Sequence, residues 1–132
     1  MKKFVLLTLA IFFSATLSAK HFWRGKTLST QEVARQWGAA PFDAVKFKEG
    51  DEKVRAAMAH SMLTKRKEFI GKSVLEIRGQ LGMPDGYYFS DVFPAYMIHR
   101  GKGANEDSWQ IVFLLTNERR VDDVIVHKNC CD

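Results

Sequence analysis

The 132-residue sequence predicts an α+β domain: two or three N-terminal helices packed on one face of a three- to four-stranded antiparallel sheet. Three observations predict it. Helix-capping patterns and one-face apolar spacing run through the first part of the chain, as far as Pro84. From Asp85 the pattern changes to short segments rich in aromatic and β-branched residues. The helices precede the strands rather than alternating with them, which argues against parallel βαβ units and gathers the helices on one side of an antiparallel sheet.

The chain opens with the positive Met1-Lys2-Lys3, continues with the apolar run Phe4 to Phe13, and then turns small and polar from Ser14 to Ala19. That order is the arrangement of a secretory signal peptide. The apolar run is roughly ten residues, about half the ~20 that a membrane-spanning helix needs. Residues 1–19 are therefore expected to be a signal peptide cleaved near Ala19. Leu17 is larger than the third position before such a cut prefers, which leaves a cut after Ser18 open. Residues 20–132 then form a single domain, large enough for one modest core. A bacterial lipid anchor needs a cysteine directly after the cut, whereas both cysteines, Cys130 and Cys131, lie at the far end. The expectation is a soluble periplasmic or secreted protein without a stable membrane anchor.

Within that domain, Ser29 and Glu32 form a capping-box pattern at the head of a helix from Thr30 to Trp37, with Gly38 and Pro41 ending it. Val33 and Trp37 share a face, so this short helix should pack as a lid. A longer helix is expected from about Asp51 to Lys67, its inward stripe traced by Val54, Ala57, Met58, Ser61, Met62 and, one turn on, Lys65, with Leu63 beside it. A third follows Ser73, again with a capping box (Glu76), with Val74, Ile77 and Leu81 inward and Gly82-Met83-Pro84 as the stop. Strands are expected at Gly86 to Phe89, Ala95 to His99, Trp109 to Thr116 and Val121 to His127. In the third of these, Trp109, Ile111, Phe113 and Leu115 share one face, which should meet the helices. Asn117 to Arg120 make a hairpin connection, and Gly101 to Asp107 a longer loop.

Catalytic and metal signatures are weak. Gly71-Lys72-Ser73 fails as a phosphate loop, because Arg66 stands where the first glycine belongs and a helix precedes it. His21, His60, His99 and His127 are scattered, with no local nucleophile signature. His127 with Cys130 and Cys131 offers zinc-type ligands, but adjacent cysteines do not easily point at one ion, and no metal site is assigned. Neighbouring cysteines do not staple a fold either. Their state is left open between free thiols, an intermolecular bridge linking two chains, a strained vicinal bridge, and redox or metal chemistry. Asp122 and Asp123 point to opposite faces of a strand and are no dyad. A net charge of +5, two units of it from Lys2 and Lys3, gives little support for nucleic acid as a partner. No cofactor and no enzymatic activity are expected.

Gly71-Lys72-Ser73, Glu76-Ile77, Leu81-Gly82 and Pro84-Asp85, followed by an aromatic strand and a hairpin ending near Val124 and Val126, resemble the SmpA/OmlA (BamE-like) family over about residues 71–126. That family shares a helix-helix-sheet fold with the β-lactamase inhibitor proteins. The resemblance implies a non-enzymatic periplasmic protein-binding module, in envelope assembly or maintenance or as a protein inhibitor. This chain departs from the assembly lipoproteins of the family in lacking their lipidated cysteine. The densest aromatic cluster, Tyr87, Tyr88, Phe93, Tyr96 and Trp109, reads from the residues themselves either as core packing or, together with the loop from Gly101, as the binding surface. The alternative expectation is a small-ligand-binding or envelope-stress protein that holds an apolar or anionic molecule between helices and sheet.

Overall fold

The computed structural model describes residues 26–88, 92–102 and 108–128. The signal segment, His21, Phe89, Asp91, residues 103–107 of the expected loop, Cys130 and Cys131 lie outside them. Four α-helices precede four strands: α1 (Thr30–Trp37), α2 (Ala44–Glu49), α3 (Glu52–Thr64), α4 (Val74–Leu81), β1 (Gly86–Tyr88), β2 (Phe93–His99), β3 (Trp109–Leu115) and β4 (Val121–Lys128). The sheet is a simple antiparallel meander in the order β1-β2-β3-β4. This is the expected α+β class.

Local chemistry sets the helix ends. Ser29 and Ser73 each accept from the amide three residues on, and Glu32 and Glu76 reach back to the cap amides. The bond from the Ser29 amide holds the Glu32 carboxyl below its ordinary value. Gly38 and Gly82 leave their helices at φ of 87°, a region that side chains resist. α2 was not anticipated. It has only six residues, capped by Asp43, and its one buried side chain, Phe47, cannot make a periodic pattern. α3 ends at Thr64 and gives way to a 3-10 turn over Arg66–Glu68, so it is shorter than expected. Its inward face differs too. Ala56 and Ala59 are buried with Met58, Ser61, Met62 and Leu63, while Val54 is exposed.

Tertiary packing follows the strand alternation. Phe113 meets Phe69 and Tyr96 edge-on at centroid distances of 5.5 and 5.9 Å, Tyr96 meets Phe47 at 5.5 Å, and Trp109 meets Trp37 of α1 at 6.3 Å. The face carrying Trp109, Ile111 and Phe113 is thus the helix face, as expected. Arg55 of α3 ties the layers. Its Nε donates to the Phe47 carbonyl at 3.2 Å, its Nη1 pairs with Asp85 at 2.9 Å, and Asp85 accepts from the Met97 amide at 2.7 Å. Beyond the named elements, residues before α1 run along the free edge of β4. Leu28 donates to the Val126 carbonyl, Thr27 bridges His127, and the Lys128 amide donates to Lys26 at 3.0 Å. That edge is therefore covered.

Candidate functional site

The five aromatic residues that read either as core packing or as one binding surface are divided by the sheet. Tyr96 is fully buried on the helix side, its hydroxyl donating to the Gly82 carbonyl at 2.8 Å, and burial pushes its pKa up. Trp109 and Phe93 are buried as well. Tyr88 lies on the other face, where its ring centroid is 4.2 Å from that of His127, whose Nδ1 is 3.5 Å from the Gln110 amide nitrogen. Burial lowers the His127 pKa and raises that of Tyr88. Four of the five are thus packed into the domain. Trp109 reaches the edge of a cleft beside α1, with Trp37 and His99, and Tyr87 lines a larger open groove.

That groove, about 680 Å³ in volume, lies between the start of α4 and the β3–β4 turn. α4 and its cap contribute Ser73, Val74, Leu75 and Arg78, the sheet contributes Tyr87 and Leu115, Val92 stands just before β2, and the turn contributes Glu118, Arg119 and Arg120. Two halves of the chain are tied together there by backbone. The Gly71 amide donates to Val121 and the Val121 amide to Lys72, both at 2.8 Å, and Ser73 bridges Arg120. Arg120 adds a bond from Nη1 to the Gly71 carbonyl at 3.2 Å. The capping box then fixes where α4 begins, which aims Leu75 outward while Ile77 and Leu81 point to the core.

The turn is closed by the Arg119 amide donating to Thr116 at 2.9 Å and the Thr116 amide to Arg120 at 2.8 Å. This geometry puts Arg119 at φ 59°, the left-handed region, where glycine or asparagine is usual. Arg78 forms the inner wall. Its Nη2 donates to the Tyr87 hydroxyl, its guanidinium carbon lies 5.7 Å from the Tyr87 ring centroid, and its Nε is buried with no acceptor. At the rim, Leu75 is 76% exposed and Val92 41%. The lining therefore offers three guanidinium groups, one carboxylate and protruding aliphatic carbon. That set suits an anion with apolar neighbours.

Sequence reading placed Arg119 and Arg120 in a connector and did not single out Leu75. The available signal was a hairpin connection with no glycine to take the left-handed position. Elsewhere, Lys72 donates to Gln80 at 3.0 Å and lies against Phe69, and Arg66 pairs with Asp123 at 3.2 Å. Among the described residues, no three His, Cys, Asp or Glu side chains are grouped to hold a metal ion, and no helix is long and apolar enough to cross a membrane. Comparison with family models, curated proteins and solved structures returns no significant match.

Proposed function

We propose that this chain is an exported, non-enzymatic polypeptide-binding module of the cell envelope, and that the groove between α4 and the β3–β4 turn is its docking surface. The observation that carries the reading is the exposure of Leu75 beside three arginines. Isolated surface leucines are ordinary, but a leucine projecting over a basic groove is where an interface places an apolar anchor. Export rests on the N-terminal segment, and the envelope role on the SmpA/OmlA resemblance. Relocating the surface from the sheet aromatics to the groove changes where a partner touches, not the class of function.

Leu75→Asp tests it, since a side chain this exposed contributes little to the core. A photoreactive residue at position 75 is expected to crosslink one discrete polypeptide in cells. Leu75→Asp protein with an unchanged melting temperature is expected to lose that polypeptide in competition. If the variant captures it as well as the wild type does, the groove is not the docking surface. Sequencing the exported protein is expected to find its N-terminus at or next to Lys20.

A further inference from the structure

We infer that the groove reads a carboxylate. It takes an extended polypeptide segment in which a glutamate or aspartate is flanked by aliphatic residues, the carboxylate going to Arg119 and Arg78 and the aliphatic neighbours to Leu75 and Val92. The inference rests on the docking surface proposed above and specifies the chemistry of what docks there.

Three independent observations carry it. Arg119 occupies a left-handed backbone position that any residue with a Cβ resists, so a guanidinium is held at the groove against the local conformational preference. Arg78 lines the inner wall and is held there by the bond from its Nη2 to the Tyr87 hydroxyl, so a second guanidinium stands fixed beside the first. At the rim the aliphatic Leu75 and Val92 are exposed, which rewards carbon beside the anion.

The balance of charge selects among anions. Glu118 adjoins Arg119 on the same turn, and its charge opposes a phosphate dianion or an anionic bilayer more than a single carboxylate. A planar carboxylate also matches the fork of a guanidinium. Three arginines facing one acid are too few to hold a membrane surface, where each cation contributes about 1 kcal/mol. An acidic and aliphatic peptide segment is the ligand that uses both the arginines and the exposed aliphatic rim.

Two end-blocked, fluorescently labelled pentapeptides, Ala-Leu-Glu-Leu-Ala and Ala-Leu-Gln-Leu-Ala, test this by anisotropy against the full chain. The glutamate peptide is expected to bind about tenfold more tightly, a difference of about 1.4 kcal/mol. Arg119→Gly should remove most of that preference while raising the melting temperature by a few degrees, because glycine accepts the left-handed turn. Loss of binding together with a gain in stability separates recognition from a structural role. Equal binding of the two peptides, both lost in Leu75→Asp, would overturn the carboxylate inference and leave the docking surface standing. Displacement by inorganic phosphate or anionic vesicles at concentrations matching the peptide would overturn the ligand class. Failure of both peptides to bind would also overturn it, and crosslinking from position 75 would then decide the docking surface separately.

Discussion

His127 shows how burial governs a single side chain. Its ring lies against Tyr88 and beside Gln110, and burial holds its pKa below the ordinary imidazole value of 6.5. The unfolded chain therefore takes up a proton at this residue more readily than the folded one. Stability contributed here is present above pH 6.5 and is lost as the pH falls below it towards the depressed folded value. Melting temperatures measured between pH 7.5 and 5 should fall with acidification, and His127→Gln should flatten that fall. An equally steep fall in the variant would assign the pH dependence to other groups. Residue type alone did not reveal such environments. Tyr87 and Tyr88 are adjacent and chemically alike, yet one lines the groove and the other packs on His127. Strand alternation tells that neighbours part company but not what awaits each of them.

At the scale of elements, the capped helices were legible because their whole signal lies within four residues. Ser29 with Glu32 and Ser73 with Glu76 need no distant partner. α3 was legible as a helix but not in its orientation. It is approached by α1, α2 and the sheet, so small alanines are buried around much of its circumference and blur the stripe. The join between α2 and α3 depends on a feature that sequence cannot display. A Cβ added at Gly50 would lie 2.6 Å from both the Lys46 carbonyl oxygen and Val54 Cγ1. The backbone there is extended, at φ −80°, so space and not conformation demands glycine. Gly50→Ala should cost about 1–3 kcal/mol, the usual range for overpacking, measurable by urea unfolding. A variant as stable as the wild type would show that the junction yields freely.

For the whole molecule, the order of elements was enough to set the architecture, since helices gathered ahead of a meander have one face to cover. The groove was not legible, because it joins α4 to a turn some forty residues later and depends on the backbone ties from Gly71 and Lys72 to Val121. Arg55 plays a comparable joining part, linking α2, α3 and the entry to the sheet through Phe47, Asp85 and Met97. Arg55→Ala should destabilise the domain by about 2 kcal/mol, as expected for losing hydrogen bonds to a charged group. Asp85→Asn should cost less, since it keeps an acceptor for Met97. Thermal unfolding of the two variants checks the ranking. The segment before α1 has a mechanical consequence of its own. Lys26 is bonded at Lys128, one end of an eight-residue strand whose other end begins beside Arg120, so Lys26 and the groove are separated by the length of β4, roughly 25 Å. Tethered to a support through the Lys26 side chain, the domain holds the groove arginines at its far end, open to whatever passes.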